Sequence, residues 1–316
     1  MKAMVIGGAG FIGCNLCEAL LDEGHEVVCL DDFSMCERAH ISFLEGRKRF
    51  GVVEADAADA FALEGAFRET QPEYVFHLAA NSDIQASAGN PEVEYRNTYT
   101  TTFRVLDAMK RSGVKNLFFA STSAVYGDKR DELLDENTPN LSPVSYYGAA
   151  KLGSEALISA FSHMNELNAL VFRFPNVIGP CLTHGVIFDF LHKLQKNPKR
   201  LEILGDGRQT KPYIHVSDLV GAILMLMEAP RGVSLYNVSV EGATSVSRIA
   251  DIICEEMGLT EVEYVYSGGE SGWKGDVPKF QYCCEKIHTA GWQAKYVSDE
   301  AVRMAVRENL EGRAML

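Results

Sequence analysis

The sequence lacks long apolar runs and an excess of positive charge. Its 316 residues contain no segment near the roughly 20 consecutive apolar residues that a membrane-spanning helix needs. The formal net charge of −13 leaves no general basic field that could hold nucleic acid. The hydrophobic content of 47% is enough to bury a large core. We therefore expect a globular protein that neither inserts into a membrane nor binds nucleic acid.

The eight cysteines lack the spacing of a disulfide framework or a zinc site. Cys283 and Cys284 are adjacent, without a second pair to complete a metal site, so we expect no metal. Cys14 and Cys17 form a C-x-x-C pattern at the start of a predicted helix. The glycine loop that precedes this helix already explains its presence. We therefore favour a structural role for the two cysteines over a redox dithiol. Because the first strand begins at Lys2 and leaves no room for a signal peptide, a reducing cytoplasm is the simplest compartment.

The chain opens with an apolar strand that runs into the glycine-rich turn Gly7-Gly8-Ala9-Gly10-Phe11-Ile12-Gly13. Glycine suits a tight turn, the close approach of a pyrophosphate, and close packing of the following helix. That helix is followed by a second strand that ends on Asp31, where a carboxylate can accept both ribose hydroxyls of an adenosine. The pattern favours a dinucleotide-phosphate site over a turn without a ligand. Asp31 would repel a 2′-phosphate, and no cation follows before Arg38, so NAD is favoured over NADP.

Strand and helix patterns alternate at the spacing of parallel βαβ units. The candidate strands are residues 2–6, 25–31, 50–54, 73–80, 116–121 and 168–174. The candidate helices include two long ones near 91–112 and 145–166, and further ones near 185–196 and 298–311.

This alternation predicts an α/β fold, a Rossmann-type doubly wound parallel sheet with a smaller C-terminal α/β substrate-binding lobe. Beyond Pro175 the pattern loosens and glycine and proline become frequent. We expect the NAD-binding Rossmann domain over residues 1–174, with later elements near 212–240 returning to it. The lobe is then expected over residues 175–211 and 241–316.

Two groups of polar residues indicate an active centre. The hydroxyls of Ser121, Thr122 and Ser123 follow the strand 116–121, at the end where open α/β sheets bind ligands. Tyr147 and Lys151 lie four apart and project from one helix face. A lysine cation favours the phenolate and would lower the tyrosine pKa towards that of a working base. Such pairs also occur by chance on solvated surfaces, but after a nucleotide-binding pattern they predict catalysis.

These motifs resemble the extended short-chain dehydrogenase/reductase family, and within it the NAD-dependent nucleotide-sugar epimerases and dehydratases. The resemblance covers nearly the whole chain. Further matching segments are Asp56, His77-Leu78-Ala79-Ala80, Asn97, residues 173–180, and residues 205–218.

The resemblance implies a role for each matching residue. Thr122 hydrogen-bonds the reacting sugar oxygen, with Ser123 as the nearby alternative, Tyr147 is the base, and Lys151 holds the nicotinamide ribose. Asn176 contacts the phosphates of a sugar nucleotide. The residues implied to bind NAD are Gly7, Gly10, Phe11, Ile12, Gly13, Asp31, Asp32, Asp56, Ala57, Leu78, Ala79, Ala80, Asn97, Tyr147, Lys151 and Phe174.

The sequence departs from the family pattern where relatives carry arginine. Gln85, Cys181 and Thr210 occupy such positions, and residues 270–274 lack a further arginine. The groups left to bind a substrate pyrophosphate are the cations Arg208, Lys211 and Lys274, the helix start at Val186, and the neutral donors Asn176 and His184. Solvated surface charge is an equal alternative for Arg208 and Lys274, as is a structural hydrogen bond for His184. The identity of the nucleotide and of the sugar stays open.

The resemblance implies an NAD-dependent 4-epimerase that acts on a UDP-hexose type of nucleotide sugar through a 4-keto intermediate. A 4,6-dehydratase and a decarboxylase share the first step, but they commonly carry an acid after the strand-end threonine, where this chain has Ser123 and Ala124. A non-catalytic NAD-binding regulatory protein is the alternative from another class. The resemblance also implies a homodimer through the helices near 91–112 and 145–166.

Overall fold

The computed structural model describes residues 1–81, 83–228, 231–269, 275, 277 and 279–311. In chain order its strands are β1 Lys2–Ile6, β2 Glu26–Asp31, β3 Phe50–Glu54, β4 Tyr74–His77, β5 Asn116–Ala120, β6 Leu133–Leu134, β7 Asn168–Arg173, β8 Asn176–Ile178, β9 Arg200–Ile203, β10 Thr210–Lys211, β11 Tyr213–His215, β12 Val233–Asn237, β13 Thr244–Ser245, β14 Glu263–Tyr266 and β15 Gln281–Tyr282.

The helices in the same residues are α1 Phe11–Asp22, α2 Ala60–Thr70, α3 Ile84–Ser87, α4 Pro91–Glu94, α5 Thr101–Ser112, α6 Tyr146–Asn165, α7 Val186–Lys196, α8 Val216–Leu226, α9 Val246–Met257, α10 Glu285–Thr289 and α11 Ser298–Leu310. A π turn, Tyr95–Thr100, connects α4 to α5, and short 3₁₀ helices cover Arg38–Ile41 and Ser123–Tyr126. No helix in the described ranges is both long and apolar enough to cross a membrane.

The central sheet has seven strands in the order β12-β7-β5-β4-β1-β2-β3. The pairings from β7 through β3 are all parallel. The chain proceeds outward from β1 to β3, then returns to place β4 on the other side of β1. This reversal opens a crevice at the carboxyl ends of β1 and β4, which is where open α/β sheets bind their ligands. The predicted Rossmann-type α/β fold is confirmed.

One compact unit contains most of this sheet and comprises residues 1–127, 140–173 and 220–236. Its main core lies between one sheet face and helices α2, α5 and α6. The fully buried side chains there include Met4, Ile6, Leu63, Leu117 and Phe119. Apolar residues at helical spacing on α2 and α5 account for this packing, which fixes the helices against the strands that carry the site.

A second compact unit comprises residues 128–139, 174–219 and 237–316. Among its described residues, β8 pairs with β11, β9 with β14 and β6 with β15, all in parallel, while β10 and β13 are antiparallel. Helix α9 packs against both α7 and α11, while α7 also packs against β9 and α11 against β11. The segment 128–139 belongs to this unit, because β6 within it pairs with β15. Residues 212–219, which include β11, also belong to it.

Most predicted elements appear with bounds shifted by a few residues. The strand predicted over 73–80 ends at His77, because the Leu78 and Ala79 amides both bind the Ile6 carbonyl, at 2.9 Å. The helix predicted over 91–112 begins at Pro91 but is interrupted by the π turn. The seventh strand, β12, was not among the candidate strands.

A pair of helical glycines, Gly13 in α1 and Gly65 in α2, provides a test of how tightly α1 packs. A Cβ on Gly13 would lie 2.2 Å from the Gly7 carbonyl oxygen, whereas one on Gly65 would meet nothing within 4 Å. We expect Gly13→Ala to lower the free energy of unfolding by ~1–3 kcal/mol. Gly65→Ala, the matched control, should raise it by ~0.5–1 kcal/mol through helix propensity alone. Urea denaturation measures both, and equal effects would contradict the packing described.

Candidate active site

The glycine turn between β1 and α1 is shaped for close backbone approach. Gly7 has φ of +82°, and a Cβ there would lie 2.6 Å from the Ala79 amide nitrogen. Gly13 packs just as closely on Gly7. Gly10 differs, because a Cβ there would meet no protein atom closer than the Gly7 oxygen at 3.4 Å. The protein itself does not require glycine at position 10, which fits a pyrophosphate that approaches the helix N-terminus at this point.

Asp31 ties the glycine turn to the end of β2. Its Oδ2 accepts a hydrogen bond from the Ala9 amide at 3.0 Å, and Oδ1 accepts one from the Phe33 amide at 3.0 Å. Burial raises the pKa of Asp31, an effect that these two amides oppose. A carboxylate has further lone pairs, so Asp31 can also accept the ribose hydroxyls expected of it. Asp32 is exposed, and its Oδ1 accepts from the Ser34 amide and hydroxyl.

Arg38 is the first cation after β2, and it is already engaged. Its Nε lies 3.1 Å from Glu45 Oε1 and its Nη1 lies 3.5 Å from Glu54 Oε2. A 2′-phosphate would therefore meet the Asp31 carboxylate and an arginine that two glutamates neutralise. These charges therefore fit NAD, which lacks the 2′-phosphate, rather than NADP.

The C-x-x-C cysteines pack inside the structure near this turn. Cys14 and Cys17 are both buried on α1. Burial raises the pKa of the Cys17 thiol well above its ordinary value, and the neighbouring Cys29 adds to the rise. A thiol held protonated is a poor nucleophile, which supports the structural interpretation of this pair.

The three proposed catalytic residues lie in one compact unit and come together. Thr122 follows β5 and caps the 3₁₀ helix, its Oγ1 accepting from the Ala124 amide at 3.2 Å. Tyr147 lies in the first turn of α6 and hydrogen-bonds Thr122. Lys151 is 2% exposed and donates from Nζ to the Ala120 carbonyl at 2.7 Å. Its Nζ lies 5.8 Å from the centre of the Tyr147 ring.

The expected depression of the Tyr147 pKa is wrong. Burial raises the pKa of Tyr147, the charge of Glu94 raises it further, and only the hydrogen bond with Thr122 lowers it. The reason is that removing the phenolate from water costs more free energy than its hydrogen bond with Thr122 restores. The Lys151 pKa falls to about 8, because burial disfavours the ammonium more than Glu94 and Glu155 favour it.

A buried ion pair holds α6 against the sheet below these residues. Glu155, one turn after Lys151, accepts from Arg173 Nε at 3.0 Å and from Arg173 Nη2 at 2.6 Å. The Ser121 hydroxyl donates to Glu155 at 2.5 Å, and the Arg173 guanidinium lies 4.8 Å from the centre of the Tyr126 ring. The ion pair thus joins α6 to the ends of β5 and β7, which fixes Tyr147 and Lys151 relative to Thr122.

Glu94 was not predicted as a site residue, yet it is buried beside the catalytic helix. It is 1% exposed and contributes to the pKa of both Tyr147 and Lys151. No sequence signal separates it from Glu92, two residues earlier in α4, which is exposed. Glu155 did carry a signal, because Tyr147, Lys151 and Glu155 repeat at intervals of four on one helix face.

The residues expected near the adenine form a cluster at the end of β3. Asp56 forms an ion pair with Arg96, and its Oδ1 accepts from the Ala58 amide at 2.8 Å. Asn97 is half-buried and its Oδ1 accepts from Arg96 at 2.8 Å. In contrast to Asn97, the next residue along the chain, Thr98, is buried. Ala57 is also buried.

The other predicted cofactor residues are half-buried or buried. Leu78, Ala79 and Ala80 directly follow β4, with backbone amides that approach β1. Phe11 and Ile12 occupy the first turn of α1. Phe174, which directly follows β7, belongs to the second unit and is buried.

The residues predicted to bind substrate are spread along the chain. Ser123 is buried in the 3₁₀ helix after β5. In the second unit, Asn176 begins β8 and is exposed, His184 hydrogen-bonds Thr183, and Val186 begins α7. Arg208 is exposed and precedes β10, which ends on Lys211. Lys274 and the whole segment 270–274 lie outside the described residues, as does the Gln85 side chain. Cys181 is buried and Thr210 is half-buried.

The comparison with family models agrees with this arrangement. Residues 3–239 match the model of the NAD dependent epimerase/dehydratase family. The chain belongs to this family. Its cofactor is NAD, as the Asp31 carboxylate and the engaged Arg38 indicate.

Individual relatives are similar over most of their length. A UDP-glucose 4-epimerase of Mycolicibacterium smegmatis is 31% identical over 266 residues, which is 83% of this chain and 84% of that protein. The UDP-glucose 4-epimerase of Thermus thermophilus, solved with NAD, has a TM-score of 0.88 at 28% identity, covering 99% of this chain and 100% of that one. The Thermotoga maritima enzyme, solved with UDP-glucose, has a TM-score of 0.89 at 28% identity, covering 98% and 99%.

The position of Asp31 predicts the cofactor preference of the protein. We expect NAD to bind on the order of 100-fold more tightly than NADP, because a carboxylate facing a phosphate costs several kcal/mol. Asp31→Ala should weaken NAD binding and narrow this ratio, since it removes both the ribose acceptor and the repulsion. Calorimetry measures both affinities. Glu26→Ala, at the opposite end of β2, is the control that should leave the ratio unchanged, and equal wild-type affinities would refute the assignment.

Proposed function

We propose that this protein is an NAD-dependent 4-epimerase that acts on a UDP-hexose type of nucleotide sugar. The observation that carries the proposal is the meeting of Thr122, Tyr147 and Lys151 in the unit that contains the glycine turn. Relatives named UDP-glucose 4-epimerases support the choice of reaction and of substrate class.

The chain's residues would divide the chemistry between them. Thr122 hydrogen-bonds the O4 oxygen of the sugar, and Tyr147 removes the O4 proton. Lys151 holds the nicotinamide ribose, and its charge supports the Tyr147 phenolate once the site is filled. NAD, when bound, would supply the reversible hydride chemistry that oxidation and re-reduction of C4 require. Tyr147 then returns the proton to O4, so that no net oxidation occurs.

The residues after Thr122 favour epimerisation over elimination. Ser123 and Ala124 follow it in the 3₁₀ helix, and neither is an acid that could expel a hydroxyl from C6. A non-catalytic NAD-binding protein would not require a hydroxyl, a tyrosine and a lysine in one place. We therefore place the dehydratase, decarboxylase and regulatory alternatives behind the epimerase.

The remaining substrate contacts are part of the same proposal. Asn176, His184, Arg208 and Lys211 are offered as donors to the substrate pyrophosphate, with the amides at the start of α7 near Val186. We also propose that the protein acts in a reducing cytoplasm. The absence of disulfides among the eight cysteines, all within described residues, supports that compartment.

We further propose a homodimer through the outer faces of α6 and the helical segment from α4 to α5. Large apolar side chains are exposed there, including Tyr95 at 62%, Tyr146 at 50% and Met164 at 77%. A shallow depression of about 590 Å³ lies along α6 between Pro143 and Leu235. Exposed apolar area of this kind suits an isologous contact.

The mechanism predicts distinct effects of three substitutions. Tyr147→Phe should remove most 4-epimerase turnover while NAD stays bound, because only the proton acceptor is lost. Thr122→Ala should cost about 10²-fold in kcat, in keeping with the loss of one positioned hydrogen-bond partner. Lys151→Ala should reduce both turnover and NAD affinity. Steady-state kinetics with UDP-galactose and calorimetry with NAD measure these effects.

A substrate deuterated at C4 tests the reaction type. The epimer should keep its label at C4, with no net NADH and no solvent deuterium at C5 or C6. A 4-keto-6-deoxy product or released carbon dioxide would refute epimerisation and show that another group supplies an acid.

The proposed dimer predicts a mass in solution of twice the 34.8 kDa chain. Light scattering at micromolar concentration measures it. Tyr146→Glu and Met164→Glu together should shift the mass to the monomer, because they bury charge in the contact. A monomeric wild type would contradict the proposal.

A further inference from the structure

The second compact unit contains a serine, a histidine and a glutamate that hydrogen bonds join in series. His215 ends β11, and Ser217 is the second residue of α8. The Ser217 hydroxyl lies 2.7 Å from His215 Nδ1, and His215 Nε2 lies 2.9 Å from Glu308 Oε2 on α11. None of the three has a role in the NAD site or in the substrate contacts proposed above.

The contacts of His215 decide which of its ring nitrogens carries the proton. The Ser217 backbone amide, which can only donate, meets Nδ1 at 3.3 Å. Nδ1 is therefore the accepting nitrogen, and Nε2 carries the hydrogen that is donated to Glu308. The lone pair of Nδ1 then faces the Ser217 hydroxyl, which is the arrangement in which an imidazole removes a proton from an alcohol.

A helix-capping role accounts for only part of this arrangement. His215 directly precedes α8, and the bond from the Ser217 amide satisfies a backbone donor at the helix start. Capping requires neither a hydroxyl at position 217 nor a carboxylate on the far side of the ring. Glu308 lies 93 residues further along the chain and orients the imidazole from α11. A nucleophile, a base and a group that orients the base are the three parts of a hydrolytic triad.

The exposure of each side chain suits its part in such a triad. Ser217 is exposed, whereas the side chain of His215 is 2% exposed and that of Glu308 is 18% exposed. The Tyr296 ring packs edge-on against His215, with 5.8 Å between the ring centres. The hydroxyl is accessible to a molecule from solvent, while the base behind it is shielded from water.

Asp218, the residue after the serine, supplies a further donor. Its carboxylate is committed to the second unit's core, because Oδ2 accepts from the Lys295 amide at 3.1 Å and from the Tyr296 amide at 3.3 Å. Its backbone amide lies in the first turn of α8, where amides have no acceptor within the helix. An amide in this position can donate to the oxyanion that forms when a neighbouring serine attacks a carbonyl.

We propose that Ser217, His215 and Glu308 form a second reactive centre, which hydrolyses simple carboxylic esters through an acyl-serine. The Ser217 oxygen attacks the carbonyl carbon of the ester while its proton passes to His215 Nδ1. The bond between that carbon and the alcohol oxygen breaks, and the alcohol leaves with the proton from Nδ1. Glu308 is a positioning residue that holds the ring.

Water completes the cycle. It attacks the carbonyl carbon of the acyl-serine and gives one proton to His215 Nδ1. The bond to the Ser217 oxygen breaks, the carboxylic acid is released, and the proton on Nδ1 returns to the serine. No oxidant or cofactor takes part, so this activity is independent of the proposed 4-epimerase function.

The first test identifies the nucleophile in the full-length protein. A fluorophosphonate phosphonylates serine hydroxyls that a base activates, with loss of fluoride, and mass spectrometry of the digested protein locates the adduct. The adduct should be found on Ser217. A protein that stays unlabelled, or that is labelled on other residues only, would overturn the proposal.

Ser247 provides a matched control, because it has the same helix position without a base. It follows Val246 as the second residue of α9, just as Ser217 follows Val216 in α8. Its hydroxyl pairs with the Tyr266 hydroxyl at 3.1 Å instead of an imidazole. Ser217→Ala should lose the fluorophosphonate adduct, whereas Ser247→Ala should be labelled to the same extent as the wild type.

The second test measures turnover of p-nitrophenyl acetate from the absorbance of released p-nitrophenolate. Ser217→Ala should lower kcat by about 10²-fold or more, because the activated nucleophile is lost, and Ser247→Ala should not change it. Circular dichroism and NAD affinity should stay at wild-type values in both variants. If Ser217→Ala does not fold, the adduct position in the wild type decides. Equal rates in folded Ser217→Ala and the wild type would contradict the proposal.

Glu308→Gln tests the positioning residue. It keeps an oxygen that can accept from His215 Nε2 but removes the carboxylate that supports the ring when Nδ1 holds the proton. For p-nitrophenyl acetate, kcat should fall about tenfold or more with KM unchanged, and Glu308→Asp should recover part of the loss. A raised KM with unchanged kcat, or a parallel loss of NAD affinity, would indicate a merely structural role and refute the assignment of Glu308.

Discussion

The burial of the Lys151 ammonium is the constraint on which the active site depends. A cation withdrawn from water must be held by dipoles and opposite charges. The Ala120 carbonyl accepts a hydrogen bond from it at 2.7 Å, and Glu94 and Glu155 offset part of the desolvation. His77, buried nearby, stays neutral and adds no second cation. The hydrogen bond from Lys151 to Ala120 fixes α6 against the end of β5, while Glu94 on α4 and Glu155 on α6 supply the opposite charge.

The ion pair below Lys151 extends this constraint to the sheet. Glu155 receives two hydrogen bonds from Arg173 and one from Ser121, and the side chains of the ion pair are only 11% and 4% exposed. A buried pair is costly to break, because the partner left behind keeps an uncompensated charge. The hydroxyl of Thr122 and the ring of Tyr147 therefore face each other on elements with little freedom to separate. Precision of this kind is what proton transfer requires.

Much of the fold and of the catalytic group followed from local pattern. Some features depend on a regular spacing or on a steric requirement, and both can be recognised in the sequence. They are the glycine turn, the strand end at Asp31, and the four-residue spacing of Tyr147 and Lys151. The role of Glu94 has no such signature, since only tertiary packing distinguishes it from exposed Glu92 on the same helix. The direction of the Tyr147 pKa was also misjudged, because pairwise charge arguments omit the desolvation that burial imposes.

The π turn over Tyr95–Thr100 makes the length of this helical segment a fixed property of the chain. A π turn holds one residue more than a regular helical turn, and one residue corresponds to about 100° of rotation about the helix axis. Deleting a single residue there would restore a regular α-helix and rotate everything on its N-terminal side, including Glu94, away from α6. An insertion or deletion in this segment therefore changes which residues face α6, whereas a substitution leaves that alignment in place. Length variation among homologues should accordingly be found in the loops on either side of it.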